Sequence, residues 1–229
     1  MTLELKERII TSILLFIIIY LCIFINLYFS LFSLIIISII AWFEFNKMTK
    51  KIYGFKKEFV ANLILIVSAF YFAIFIGTAY YMIVIDKIYF SYIILICAFS
   101  DIGGYVFGKT FKGKKLTKIS PNKTISGSLG SFIFASIPCL IFKMIFSYTD
   151  IYFLLFADNL LLNLIISLFL SLVCQLGDLF ISYFKRLSDV KDTGRILPGH
   201  GGLLDRIDGI IFAIPCFGIL GYLFNYLNY

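Results

Sequence analysis

Residues 59–85 read FVANLILIVSAFYFAIFIGTAYYMIVI, a predominantly apolar run without a charged side chain. A helix needs about 20 such residues to cross the hydrocarbon core of a bilayer. Similar runs lie near 9–25, 28–45, 88–107, 129–148, 153–176 and 209–227. The first two predict a hairpin broken at Asn26-Leu27 or, alternatively, one bent helix. Unpaired strands are excluded from lipid because their backbone groups would lack partners.

The composition supports the same fold class. Of the 229 residues, 61% are hydrophobic, and the mean hydropathy is +1.00. A soluble domain of this size could not bury that much apolar surface. We therefore predict an all-α, polytopic integral membrane protein with about seven transmembrane helices. We expect a single membrane domain over 1–229, with N-terminal spans in 1–87 and a catalytic part over about 88–229.

The net charge of +7 is explained by topology rather than by nucleic-acid binding. Of the 20 Lys and Arg residues, 18 fall in four regions that seven spans place on one side: the N-terminus, 46–58, 108–128 and 177–208. Cytoplasmic loops carry such an excess of cations. We predict a cytoplasmic N-terminus, a C-terminus across the membrane, and no nucleic-acid partner.

Charge is concentrated in residues 182–208, SYFKRLSDVKDTGRILPGHGGLLDRID, which include the single histidine, His200. Cations and carboxylates alternating around a glycine-rich turn suit a site for polyphosphate and a divalent metal. On a helix leaving the sixth span, Asp178, Ser182 and Lys185 share one face. Asp205 and Asp208 share a face at the start of the seventh span. The alternative is that Asp205 caps that span and the cations mark the membrane border.

Two further polar stretches stand out. Asp101 lies inside the fourth span, where a carboxylate must face a polar cavity, a cation or another helix; a purely structural hydrogen-bonding role is the alternative. Residues 118–124, KISPNKT, supply a turn and donors suited to phosphate, or else form an ordinary basic loop. Residues 103–110 match the GxxxxGK[ST] pattern, but they follow a membrane span rather than a buried strand, so a P-loop is not expected.

The charged segment resembles the C-terminal motif of phosphatidate cytidylyltransferases, also called CDP-diacylglycerol synthases. The matching residues are Ser182, Lys185, Arg186, Lys191, Asp192, Gly194, Pro198, His200, Gly201, Gly202, Asp205, Arg206 and Asp208. Gln175, Gly177 and Asp178 are similar to the lead-in of that motif. Asp101 with Gly104-Tyr105, and residues 120–124, are similar to the family's central motif. The resemblance covers roughly residues 98–210.

The resemblance implies an enzyme that transfers a cytidylyl group from CTP to phosphatidic acid, giving CDP-diacylglycerol and pyrophosphate in phospholipid biosynthesis. It implies catalytic roles for Asp178, Lys185, Arg186, Lys191, Asp192, His200, Asp205, Arg206 and Asp208. It implies substrate contacts from Ser120, Asn122, Lys123, Thr124, Ser182, Gly201 and Gly202. The expected metal is Mg²⁺, held by oxygen ligands from Asp178, Asp208, Asp205 and Asp101.

The same resemblance places the protein in a bacterial-type inner membrane, with the active site facing the cytoplasm and a homodimer left open. We expect Asp101, Asp178 and Asp208 to line one polar cavity. Two positions depart from the family pattern, because Ser126 and Ile181 stand where relatives usually carry acids. A catalytically impaired paralogue is therefore an alternative. A CTP-dependent polyprenol or phytol kinase, which would share the nucleotide and the membrane setting, and a non-catalytic transporter or scaffold are further alternatives.

Overall fold

The computed structural model describes residues 21, 24–54, 57–85, 87–117, 119–121, 123–146, 159–197 and 201–227; at 146 and 223–227 it describes the backbone alone. Within these ranges the regular secondary structure is helical. The helices are α1 (Leu27–Tyr53), α2 (Glu58–Ile85), α3 (Lys87–Phe111), α4 (Ile125–Phe146), α5 (Leu160–Leu187), α6 (Leu204–Ile207) and α7 (Ile210–Leu227). Extended pairing in the same ranges is limited to two isolated bridges.

The helices α1 to α5 are long and apolar enough to cross a membrane. Helix α7 adds a shorter apolar segment, Ile210–Tyr222. Large apolar side chains such as Phe59, Ile66 and Phe70 are exposed on the protein surface, as expected for residues that face lipid. The chain is an integral membrane protein, and the predicted all-α polytopic fold is confirmed. The first predicted span, near 9–25, lies almost wholly outside the described residues.

The predicted break at Asn26-Leu27 is confirmed. Asn26 has an extended backbone, and its side-chain oxygen accepts a hydrogen bond from the Phe29 N–H at 2.7 Å. Asparagine is among the best residues for this role because its short side chain reaches the unpaired amides of the first helical turn. Helix α1 therefore begins at Leu27 as a new helix.

The chain divides into two compact units. The first consists of Met1–Lys87 with Ile181–Asp208, and the second of Ile88–Phe180 with Gly209–Tyr229. The first unit thus combines α1 and α2 with the charged segment, while the second holds α3, α4, most of α5, and α7. The boundary at residue 87 coincides with the predicted start of the catalytic part, but 181–208 is grouped with the N-terminal helices. The expectation of one membrane domain stays a prediction.

In the first unit, α1 packs along α2. The Trp42 indole N–H donates to the Ser68 hydroxyl at 3.1 Å, so a polar group inside this apolar pair is satisfied. Leu204 of α6 is fully buried, and α6 contacts α1. These contacts fix the charged segment against α1.

In the second unit, α3 and α4 cross at glycines. A Cβ atom on Gly103 would overlap the carbonyl oxygen of Gly130, and one on Gly130 would overlap the Phe107 side chain. A Cβ on Gly127 would lie 2.8 Å from the Gly104 carbonyl oxygen. Small residues let helix backbones approach closely in a membrane. Residues 103–110 all lie within α3, so they form a packing face and not a phosphate-binding loop.

Candidate functional site

In the first unit, the Asp205 carboxylate organises the charged segment. Its Oδ1 accepts a hydrogen bond from Lys185 Nζ at 2.7 Å. Its Oδ2 accepts from the backbone N–H of Thr193 at 2.8 Å and of Gly202 at 3.0 Å. Both oxygens therefore bind protein donors, and together they join the end of α5, the loop after it and the start of α6. The alternative of a cap for the seventh span does not describe this geometry, because α7 begins only at Ile210.

The ion pair of Lys185 and Asp205 is shielded from solvent. The two side chains are 13% and 8% exposed. Burial on its own raises the pKa of the Asp205 carboxyl, but the Lys185 ammonium and the two backbone amides outweigh it and hold that pKa below its ordinary value. Asp205 is thus ionised near neutral pH. Its predicted role as a metal ligand stays a prediction.

A second carboxylate in this network is Glu44 of α1, which was not predicted from the sequence. Glu44 is 6% exposed. Its Oε1 accepts from the Leu203 N–H at 3.1 Å, and its Oε2 accepts from the Leu204 N–H at 2.8 Å. These amides lie at the N-terminus of α6, where backbone donors have no partner within the helix. Glu44 therefore caps α6 from a distant helix. The available signal was a lone acid in the apolar stretch Trp42-Phe43-Glu44-Phe45.

Thr193 links the two carboxylates. Its hydroxyl oxygen lies 2.8 Å from Glu44 Oε2 and 3.1 Å from Asp205 Oδ2. A hydroxyl carries one proton and donates to one acceptor at a time. Donation to Glu44 gives the shorter bond, and Asp205 Oδ2 already has two backbone donors. This choice leaves each of the three side chains satisfied, and it fixes the loop over α1.

Two glycines of the motif are required by this packing. Gly201 has a φ of +87°, in the region that side chains disfavour. A Cβ on Gly202 would overlap the Thr193 hydroxyl and lie 2.5 Å from Glu44 Oε2. The backbone N–H of Gly201 donates to the Leu197 carbonyl at 3.1 Å. His200 lies outside the described residues, so its predicted role stays a prediction.

A basic cavity of about 540 Å³ opens beside this network. It is lined by Lys47, Met48 and Lys51 of α1 and by residues 190–195. Among the lining residues, Lys191 and Asp192 were predicted as site residues. Lys47, Lys51 and Arg195 were counted only as markers of topology, because nothing in the sequence joins 47–51 to 191–195.

In the second unit, Asp178 of α5 forms an ion pair with Lys123. The two side chains are 31% and 25% exposed, so the pair is partly accessible. Asp178 and Lys123 were predicted separately, as a metal ligand and a phosphate contact. The structure brings them together at the end of the loop between α3 and α4.

That loop is closed by backbone and hydroxyl contacts. The Leu116 N–H donates to the Lys123 carbonyl at 2.8 Å, and the Lys123 N–H donates to the Ser120 carbonyl at 3.1 Å. The Thr124 hydroxyl accepts from the Gly127 N–H at 3.0 Å and caps α4. Ser126, which replaces a family acid, donates to the Lys112 carbonyl. Asn122 lies outside the described residues.

A chain of polar side chains runs through the second unit. The Ser128 hydroxyl donates to Gln175 Oε1 at 2.6 Å, and Gln175 Nε2 donates to the Ser171 hydroxyl at 3.3 Å. Ser171 pairs with Ser100 at 2.8 Å. Buried polar groups need such partners, particularly within a membrane. The next residue after Ser100 is Asp101, which is exposed on α3.

The remaining predicted residues are distributed over both units. Ser182 is buried on α5, while Arg186 and Arg206 are exposed, and Asp208 ends α6. Ile181, which replaces the second family acid, is 2% exposed and packs as an apolar side chain. Asp101 and Asp178 belong to the second unit and Asp208 to the first. Within the described ranges, no three acidic, histidine or cysteine side chains group around a common metal position. The shared carboxylate cavity stays a prediction.

Comparison with known proteins places this geometry in context. Phosphatidate cytidylyltransferases of Staphylococcus haemolyticus (strain JCSC1435) and Staphylococcus aureus (strain COL) are 44% and 46% identical over 133 residues. The enzyme of the same name from Staphylococcus epidermidis (strain ATCC 12228 / FDA PCI 1200) is 42% identical over 133 residues. Each match covers 58% of this chain and 48% of the relative, so the chain spans about half the length of these curated relatives. A sequence model described as the cytidylyltransferase family matches residues 56–224, which include the charged segment and all four predicted metal ligands. The chain belongs to the cytidylyltransferase family.

Proposed function

We propose that this protein transfers a cytidylyl group from CTP to phosphatidic acid, releasing pyrophosphate and forming CDP-diacylglycerol. The observation that carries the proposal is the identity of 42–46% with three bacterial phosphatidate cytidylyltransferases. The basic cavity supports it, because motif residues Lys191 and Asp192 line a space with an excess of cations. Both proposed substrates are anions that such a surface attracts.

In the proposed reaction, an oxygen of the phosphatidic acid phosphate attacks the α-phosphorus of CTP. The bond from that phosphorus to the β-phosphate oxygen breaks, and pyrophosphate leaves with the electron pair. A phosphate monoester is already largely ionised near neutral pH, so no strong general base is required. The protein has to position two anions and neutralise their charge.

The residues have different parts in this scheme. Lys185 and Asp205 hold the loop, since they bind each other and Asp205 also accepts from the Thr193 backbone N–H. Lys191, Arg206 and Lys123 supply positive charge for phosphate groups, and Lys123 exchanges its contact with Asp178 for a phosphate. Lys185 acts as a positioning residue.

The donor set fits magnesium. Asp178 and Asp208 offer hard carboxylate oxygens, and Mg²⁺ is commonly held by one or two carboxylates together with substrate phosphates. We propose these two residues as its ligands, ahead of Asp205, whose oxygens already accept protein hydrogen bonds, and Asp101. Bound Mg²⁺ would neutralise charge on the phosphates and on the leaving group.

We further propose that the protein resides in a bacterial inner membrane with the N-terminus and the active site facing the cytoplasm. The cation distribution supports this orientation, and CTP is a cytoplasmic substrate. A homodimer is part of the same proposal, and crosslinking in the native membrane tests it.

The test uses purified protein in detergent with labelled CTP and phosphatidic acid. We expect labelled CDP-diacylglycerol in the presence of Mg²⁺ and its loss in excess EDTA. Asp208→Asn should abolish turnover while the protein remains inserted and folded, because a neutral amide is a poor magnesium ligand. Glu58→Gln, which removes one negative charge from an exposed position on α2, is the matched control.

Three results would contradict the proposal or one of its parts. Labelled polyprenol phosphate or phytol phosphate, formed from the corresponding alcohol in place of CDP-diacylglycerol, would identify a lipid kinase. Near wild-type turnover of Asp208→Asn at saturating Mg²⁺ would remove Asp208 from the site. Absence of any product from wild-type protein that retains its Mg²⁺ and CTP binding would indicate an impaired paralogue.

A further inference from the structure

The basic cavity brings together cations from two distant parts of the chain. Lys47 and Lys51 come from α1, while Lys191 and Arg195 come from the loop after α5. The family match begins at residue 56, so both α1 lysines lie outside it. The cavity is therefore only half built from the motif, and the other half is supplied by this helix.

The cavity is held open by fixed contacts at both ends of one helix face. Glu44 caps α6 at one end, and Lys51 Nζ donates to the Asp189 carbonyl at 3.3 Å at the other. Lys47 lies between them, one helical turn from Lys51, and spacing of four residues puts both on the same face. Two anchored ends keep α1 and the loop at a set separation, so the cavity exists before any ligand binds.

Its charge and size together define the ligand class. Four cations line it against one carboxylate, that of Asp192. Cations brought together in this way repel each other, and a multiply charged anion relieves the repulsion. The volume of about 540 Å³ lies within the usual range for small-molecule sites, about 300–1,000 Å³. Lysine and arginine are the side chains that bind phosphate oxygens.

We infer that the basic cavity binds a polyphosphate group, with Lys47 and Lys51 as contacts that the family motif does not include. This inference rests on the proposed function for the identity of the group, which would be the β- and γ-phosphates of CTP or the pyrophosphate product. The cavity itself is independent of that assignment. A polyphosphate is favoured over a single phosphate monoester because four cations exceed what one monoester neutralises.

Binding of labelled pyrophosphate to the full-length protein in detergent, measured by equilibrium dialysis, tests the inference. Lys47→Gln should weaken binding roughly tenfold, since it removes one charged contact. Lys50→Gln is the matched control, because Lys50 is an exposed lysine on the same helix that does not line the cavity. We expect the control to stay within about twofold of wild type. Lys51→Gln should weaken binding as well.

Equal pyrophosphate affinity in Lys47→Gln and Lys50→Gln would overturn the inference, provided both variants keep the wild-type Tm. A second arm uses phosphatidic acid in mixed micelles. If Lys47→Gln weakens only the binding of that lipid, the cavity holds a headgroup and the polyphosphate assignment is wrong. If Lys47→Gln and Lys51→Gln weaken pyrophosphate binding but the wild-type protein transfers no cytidylyl group, the cavity assignment stands and the proposed reaction alone is refuted. If neither substitution changes pyrophosphate binding while turnover is normal, the proposed reaction stands and the cavity assignment is refuted.

Discussion

Replacing Glu44 with alanine tests whether α1 fixes the charged segment. The substitution removes the acceptors of the Leu203 and Leu204 amides, and it removes one of the two acceptors available to the Thr193 hydroxyl. Thr193 retains Asp205 Oδ2 at 3.1 Å, so its loss is small. The two amides at the start of α6 have no other acceptor in the helix.

The magnitude follows from those two amides. A buried donor left without a partner costs about 1–3 kcal/mol. Two such donors, partly relieved by local relaxation, give about 2–3 kcal/mol for opening of the segment. At about 1.4 kcal/mol per factor of ten, amide hydrogen exchange should become roughly 30- to 150-fold faster.

Hydrogen exchange followed by mass spectrometry provides the assay, with a peptide that contains Leu203 and Leu204. Glu58→Ala is the control, because Glu58 is exposed in the first turn of α2 and the charge change is the same. In Glu58→Ala, the peptide that contains Leu203 and Leu204 should exchange at the wild-type rate. The reasoning is refuted if Glu44→Ala and Glu58→Ala exchange at the same rate over this peptide.

Three further predictions address the helix crossing, the acid response and the topology. Gly130→Ala should lower Tm in detergent, because its Cβ would overlap Phe107 and overpacking costs about 1–3 kcal/mol. Gly77→Ala is the control: Gly77 has open space around it, so its Tm should stay unchanged or rise. Equal shifts in Tm for the two variants would contradict the close crossing of α3 and α4. The native pKa of Asp205 is depressed, so the stability that its carboxylate contributes is present above the unfolded pKa of about 3.9 and is lost as pH falls through the lower native pKa. Asp205→Asn should therefore be less stable than wild type at pH 6, and its stability should approach that of wild type below pH 4. A difference in stability between Asp205→Asn and wild type that stays constant with pH would show that the charge of Asp205 is not what stabilises the loop. A topology reporter after Tyr229 should be non-cytoplasmic and one near Lys114 cytoplasmic; the same side for both would mean that the number of spans between them is wrong.

Local sequence patterns were sufficient for the membrane architecture. Long apolar runs predicted α1 to α5 and α7 because burial in lipid requires length and hydropathy, both of which are read along the chain. Asn26 marked a helix start because capping is a contact over three residues. The glycine pattern at 103–110 was separated from a P-loop because it follows an apolar span rather than a buried strand, and the structure places all of it within α3. The motif at 182–208 indicated the family because its residues lie in one continuous stretch at fixed spacings, which can be recognised along the chain.

Contacts between distant residues were decided by the tertiary structure alone. Glu44 lies about 150 residues before the amides and the hydroxyl that it binds, and no periodicity links α1 to the loop after α5. The roles of Asp205 and Lys123 also changed from isolated site residues to members of ion pairs with Lys185 and Asp178. The basic cavity exists only because α1 and residues 190–195 are held together, so its cations were interpreted as topology signals. Sequence determined which helices enter the membrane, because hydrophobicity is a property of each segment; the fold determined which charges meet, because electrostatic partners depend on distance in space.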